Sequence, residues 1–372
     1  MKPIPGLEGA DLGSVPSPSL LVWPDRVQAN IARMVDLCGG PERLRPHVKT
    51  HKMDAVVRLQ LEAGIDKFKA STIAEVEMCL AAGAEDVLLA YPAVGPNQGR
   101  LVQLSRTYSD ARLSFLADSR DVLPGISACC HAEGAELGVF VDFDCGMART
   151  GISSVADAVL LAEDVSKTDG IHFAGVHAYD GHVRDSGVAT RKGTWSEAME
   201  SVEALLDALV EAGISVREVV GGGSPTFGFH AGERGWQCSP GTVLFWDHGY
   251  GSAYPDLPFE NAAMVLTRIV SKPGPNRLCL DLGHKAIASE GAPERRVHLP
   301  GLESARVAGH SEEHLVLELE EAGDYEVGDV LLGVPYHICP TVALHQEAIL
   351  VRDGAVTGES WEVTARDRRL SV

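Results

Sequence analysis

Short apolar runs recur through the first two-thirds of the chain, each followed by amphipathic or loop material. This alternation narrows the fold more than any other feature. Ser19 to Val22 reads as a strand and leads into a helical stretch from Asp25 to Leu37. Leu44 to Thr50 precedes a helix near Ala55 to Ala63, and Lys67 to Ala70 leads into a helix from about Ile73 to Ala82. Thr72 and Glu75 have capping-box spacing at the start of that helix, and Gly83 stops it. Val87 to Tyr91 is a strand, followed by a helix near Gln98 to Tyr108. Leu113 to Ala117, Leu137 to Phe143, His172 to Tyr179 and Val216 to Val220 are further strands, and Val243 to Trp246 closes the series.

Repeated βα units imply a parallel sheet, and about eight of them over roughly 230 residues point to a closed (β/α)8 barrel. An open doubly wound sheet has the same pattern. In a barrel, chemistry collects at the C-terminal strand ends, so reactive residues should follow apolar runs. From about Ala262 the pattern changes to β-rich runs: Val265 to Val270, Arg277 to Leu282, His314 to Leu319, Val330 to Val334 and Ala348 to Val351. Asp353-Gly354 is a hairpin signal. The expected division is a barrel over 16–258 and a β domain over 259–372, with residues 1–15 packing against the second.

The charge balance removes several partners. Asp and Glu number 52 against 32 Lys and Arg, a formal net charge of −20 in 372 residues. Such a surface repels nucleic acid and acidic membranes but leaves room for one small anion in a local positive pocket. Met1-Lys2-Pro3-Ile4-Pro5-Gly6 has no apolar stretch of signal-peptide length, and no run approaches a membrane span. The eight cysteines are scattered without a CxxC, which fits free thiols in a reducing cytoplasm, one of them available to a metal.

Four segments carry chemistry. Arg45-Pro46-His47-Val48-Lys49-Thr50-His51-Lys52 ends an apolar run. Strand alternation puts His47, Lys49 and His51 on one face and Lys52 on the other. A lysine held near other cations in a barrel mouth is a nucleophile for a carbonyl; otherwise this is a solvated basic strand end. Asp142 to Gly151 sets Arg149 after a Gly turn, where its fork can reach an oxyanion or where an Asp–Arg pair simply holds the turn. Gly221-Gly222-Gly223-Ser224-Pro225-Thr226 can offer an anion nest or be a flexible loop, and Ser239-Pro240-Gly241-Thr242 could add donors. In Tyr336-His337-Ile338-Cys339-Pro340-Thr341 an extended backbone aims His337 and Cys339 the same way, which suits zinc; a packed His beside a buried Cys is the plainer alternative.

Together these segments resemble the D-threonine aldolase and D-serine dehydratase group, fold-type III enzymes with an alanine-racemase-like barrel that use pyridoxal 5′-phosphate (PLP). The resemblance runs from about Pro18 to the C-terminus. It implies that Lys49 holds PLP, that Arg149 bonds the phenolic oxygen, and that Gly222, Gly223, Ser224, Gly241 and Thr242 hold the phosphate. It implies that His337 and Cys339 hold a divalent ion, zinc or else manganese or magnesium. The His177-Ala178-Tyr179-Asp180-Gly181-His182 segment should line the site, with His177 or Tyr179 on the cofactor and His182 in acid–base work.

PLP delocalises charge formed at Cα, and a metal can act as a Lewis acid on the substrate's β-oxygen. Cα–Cβ cleavage of a D-3-hydroxy amino acid then yields glycine and an aldehyde. Loss of the α-proton and the β-hydroxyl yields a 2-oxo acid and ammonia. Cys339 resembles the dehydratases, where aldolases tend to have Asp. The segments around His177–His182 and Cys339-Pro340-Thr341-Val342 are more similar to the aldolases, and the aldolase is the expected activity. A racemase would have no use for the His337–Cys339 pair, and a PLP-carrier protein would have no need of the last third. The family also implies a homodimer.

Overall fold

A computed structural model describes residue 7 and residues 10–371. The Met1–Gly6 segment considered above lies outside the described residues. The chain forms two compact units. One runs to Ile31, resumes at Thr50–Ala55 and again at Thr242–Arg366; the other holds Ala32–Lys49, Val56–Gly241 and the stretch from Asp367.

The first expected barrel strand, β1 (Ser19–Val22), is not in the barrel; it belongs to the sheet of the first unit. The second unit carries seven parallel strands in sequential order: β2 (Lys67–Ala70), β3 (Asp86–Pro92), β4 (Arg112–Ala117), β5 (Leu137–Asp142), β6 (Ile171–His177), β7 (Glu218–Gly221) and β8 (Gln237–Cys238). Its two edges meet through Leu44–His47. Leu44 bridges Cys238 and His47 bridges Lys69, both in parallel sense. Arg45 N–H donates to Cys238 O at 2.8 Å, and Lys69 N–H donates to Pro46 O at 2.9 Å. The ring thus closes through seven strands and one extended segment.

The expected strand Leu44 to Thr50 therefore shortens. Pro46 has no N–H for a ladder, and Val48–Thr50 winds into a 3-10 turn. That turn also breaks the alternation expected to place His47, Lys49 and His51 on one face. Val243 to Trp246 is likewise no strand. Thr242–Leu244 is a 3-10 turn, Trp246 has φ +48°, and the last barrel strand lies earlier, at β8.

Leu88, Leu116, Phe140 and Val220 fill the barrel interior, each contributing roughly 1.5–3 kcal/mol through burial. The N-terminal end of the barrel is plugged by Arg45, fully buried, which pairs with Asp86 at 2.5 Å and Glu218 at 3.0 Å. Thr72 caps the Ile73–Ala81 helix by accepting from Glu75 N–H at 3.2 Å. The Glu75 carboxylate returns to Ser71 N–H at 2.6 Å, one residue before the cap.

In the first unit the remaining strands are β9 (Ala263–Gly274), β10 (Arg277–Leu280), β11 (Val297–His298), β12 (Arg306–His310), β13 (Leu315–Glu318), β14 (Val330–Pro335), β15 (Glu347–Arg352) and β16 (Ala355–Glu362). Their order is β12-β13-β10-β9-β1-β15-β16, with β14 on β9 and β11 on β14. Asp353 and Gly354, at φ +50° and +73°, form the expected hairpin between β15 and β16. Leu12, Leu21, Trp23, Leu266, Leu332 and Val351 build its core with Leu7 and Val15. A short helix, Ile338–Val342, follows β14 where an extended segment was expected.

Candidate active site

At the C-terminal ends of the barrel strands lies a small, partly open cavity. His47, Lys49, Lys69, Asp142, Arg149, Thr150, His177 and Tyr179 line it, with Asp144 and Met147 from the loop after β5. The Tyr179 ring is the common neighbour of three cations: Lys49 Nζ is 5.9 Å from its centroid, Lys69 Nζ 5.4 Å and Arg149 Cζ 5.3 Å. Cation–ring attraction holds within about 6 Å.

His177 Nδ1 lies 2.6 Å from Asp142 Oδ1, and Thr150 Oγ1–H donates to Asp142 Oδ2 at 2.9 Å. Burial pushes the Asp142 carboxyl up, but His177, Thr150 and Lys69 hold it below the ordinary carboxylate range. Burial, followed by Lys69, lowers His177 despite Asp142. The other ring nitrogen, Nε2, is buried without a hydrogen-bond partner among the described residues. His47 is pushed well below its ordinary value by burial and by Lys49, Lys69 and His177.

Arg149 ends a turn built by Asp144, whose Oδ1 accepts from Gly146 N–H and Ala148 N–H, both at 3.0 Å. Backbone amides, rather than an Asp–Arg pair, hold this turn. In the glycine loop, Gly222 has φ +71°, and a Cβ there would meet His230 Cδ2 at 2.8 Å. Gly223 N–H donates to Asp180 Oδ1 at 3.1 Å, and Gly241 N–H donates to Ser224 Oγ at 3.3 Å. Two of the amides expected to face an anion thus have acceptors within the protein. Asp180 Oδ2 lies 2.8 Å from His230 Nε2, toward which Trp195 Nε1–H also donates at 2.8 Å.

His182 does not line the cavity. Its ring packs on the Gly146 turn, and its Nδ1 is buried without a partner among the described residues. Lys52, with φ +53°, reaches Ala365 O at 3.5 Å in the first unit.

Also in the first unit, His337 is the N-cap of Ile338–Val342 and Cys339 lies in its first turn. The pair meets through a helix start rather than by strand alternation. Asp247 fixes this start: its Oδ2 accepts from Ile338 N–H at 3.0 Å. His337 Nδ1 pairs with Glu290, and the His337 side chain also hydrogen-bonds Cys339. Burial works against charge on His337, but Cys339 and Glu290 lift it to about 9. Burial raises the Cys339 thiol, yet His337 and Thr50 bring it below its ordinary value. Thr50 Oγ1 and Thr242 Oγ1 lie 3.1 and 3.6 Å from Cys339 Sγ. Among the described residues no group of three His, Cys, Asp or Glu side chains is placed to hold a metal. All eight cysteines are free thiols, and no helix is long and apolar enough to cross a membrane among the described residues.

Sequence reasoning missed Lys69, the Asp142–His177 link and the Asp180–His230 pair. Lys69 stood in plain view at the end of β2, where barrel chemistry is expected.

Residues 22–248 match the alanine racemase N-terminal domain, and residues 262–351 match a putative serine dehydratase domain. That combination defines the class: an alanine-racemase-like barrel with a dehydratase-type β domain. D-threonine aldolase from Arthrobacter is 31% identical over 370 residues, covering 98% of this chain and 96% of its own. 3-Hydroxy-D-aspartate aldolase from Paracoccus denitrificans is 30% identical, with the same coverages. The crystal structure of D-threonine aldolase from Filomicrobium marinum superposes with a TM-score of 0.88 at 30% identity, covering 95% of this chain and 97% of that one. This chain belongs to the D-threonine aldolase and D-serine-dehydratase-like family, and is a lyase.

Proposed function

We propose that this protein cleaves D-3-hydroxy amino acids to glycine and an aldehyde, using PLP and a divalent ion. The observation that carries the reading is the placement of Lys49 in a strand-end cavity beside Arg149, Lys69 and His177, whose Nε2 has no partner among the described residues. An amine, cations and a buried unfilled nitrogen fit an anionic, heteroatom-rich cofactor.

Lys49 is the amine proposed to carry PLP, and Arg149 the residue for its phenolic oxygen. His177 or Tyr179 would contact the cofactor. Ser224, with the backbone at Gly222, Gly223, Gly241 and Thr242, shapes the phosphate segment. His182 is proposed for acid–base work. Asp142 holds His177 Nδ1, so Nε2 would be the nitrogen available to a ligand. PLP delocalises charge at Cα, and a divalent ion polarises a hydroxyl oxygen. His337 and Cys339 would hold that ion. Their nitrogen and sulfur donors favour zinc, and Glu290 orients the imidazole in the way carboxylates orient metal-binding histidines. The proposal includes the domain boundary at 258/259, a homodimer and a cytoplasmic location.

A second reading, dehydration to a 2-oxo acid and ammonia, is favoured by Cys339 and by the dehydratase-type domain at 262–351. Product analysis with D-threonine, PLP and zinc separates the two. Glycine and acetaldehyde, lost on chelation, are the expected products. 2-Oxobutanoate without glycine would replace the aldolase by the dehydratase, and no product from D-threonine or D-serine would overturn both.

A further inference from the structure

Lys69 is the most buried cation of the cavity, and the proposed function gives it no contact of its own. It is 3% exposed. Its Nζ donates at 2.9 Å to Ser239 Oγ. That hydroxyl turns to the carbonyls of Gly221 and Gly222 at 3.3 and 3.4 Å. An ammonium has three donors, and Ser239 Oγ is its one hydrogen-bond acceptor among the described residues. The Tyr179 ring covers a further side at 5.4 Å.

The charged groups around it do not supply the missing acceptors. Lys49 and Arg149 oppose its charge, as Asp142 and Asp180 support it, and His47 and His177 feel it as well. Asp142 is bonded to His177 and Thr150, and Asp180 to Gly223 and His230. A buried cation short of acceptors is costly unless a ligand completes it.

We infer that Lys69 is a ligand-binding residue of this cavity, donating to an acceptor atom of the bound cofactor. The phenolic oxygen, the ring nitrogen and the phosphate share that acceptor chemistry. The inference rests on the PLP reading of the same cavity. Burial and Lys49 lower the Lys69 amine to about 7. The donor is therefore mostly charged on the acid side of neutrality and loses its proton on the alkaline side.

The test is titration with pyridoxine 5′-phosphate, which keeps the phosphate, phenol and ring nitrogen but has no aldehyde to react with Lys49. Wild type should bind more tightly below neutrality than above it. K69M should bind on the order of 10-fold more weakly on the acid side, the loss expected for one charged hydrogen bond, with the pH dependence flattened. K69R, charged throughout, should keep binding above neutrality. Pyridoxine and inorganic phosphate, run as separate arms, show which acceptor Lys69 meets. The arm weakened by K69M identifies it, and either result supports the assignment. Equal affinity and an equal pH profile in wild type, K69M and K69R would overturn it. Should wild type bind neither PLP nor the analogue, the PLP reading falls first and the Lys69 assignment with it.

Discussion

Lys69 and Asp142 show how single residues set the site's electrostatics, with opposite consequences for pH. Lys69 falls from an ordinary 10.5 to about 7. Between those values the unfolded chain binds the proton that the folded one lacks, so stability from this residue rises with pH across that window. Denaturant unfolding of the cofactor-free protein should show that rise, and K69M should flatten it. Asp142 is held below its ordinary 3.8 by His177 and Thr150 despite burial. Its contribution is present above that value and is lost as pH falls through the lower folded one. D142N removes one partner of a buried pair and should cost about 3–5 kcal/mol in urea unfolding. C339D exchanges a soft donor for a hard one. After chelation and reloading, activity with zinc should fall and activity with manganese or magnesium should rise. Lys49 and Arg149 were legible because their neighbours in sequence form recognisable segments. Lys69 stood at a readable strand end, whereas Asp180 and His230 were hidden because they lie far apart along the chain and meet only when the barrel closes.

At the scale of elements, apolar strands announced themselves and polar or interrupted ones did not. β3 to β6 were readable as apolar runs, and the Asp353-Gly354 turn as a hairpin. β8 is two residues, Gln237 and Cys238, with no hydrophobic pattern to read. The Leu44–His47 segment closes the ring by isolated bridges across Pro46, a geometry that no strand periodicity encodes. The His337–Cys339 pairing was expected for a reason that did not survive: a helix start, not a strand, brings the two side chains together. The glycine run has a cause in packing alone. Gly222 sits at φ +71°, and a Cβ would strike His230 Cδ2 and Phe227 Cα at 2.8 and 2.9 Å. G222A should therefore destabilise the protein by more than about 1 kcal/mol in a thermal melt. G228A, with open space around its Cβ position, is the near-neutral control.

At the scale of the whole molecule, the net charge of −20 and the site's cations are separate matters. The acidic excess makes the surface as a whole electrostatically unfavourable to polyanions. The cavity concentrates Lys49, Lys69 and Arg149 around one ring, a local arrangement that a charge count cannot reveal. The βα alternation gave the barrel, but β1 left it for the other unit's sheet because its pairing partners, β9 and β15, lie in the last third of the chain. The central claim is that Lys49 carries the cofactor in this cavity, and reductive trapping tests it most directly. The protein is incubated with PLP, reduced with borohydride, digested and mapped by mass spectrometry. The account predicts the pyridoxyl label on Lys49 and its absence from K49A. A label on Lys52 or Lys69, or no label on the wild-type protein, would contradict it.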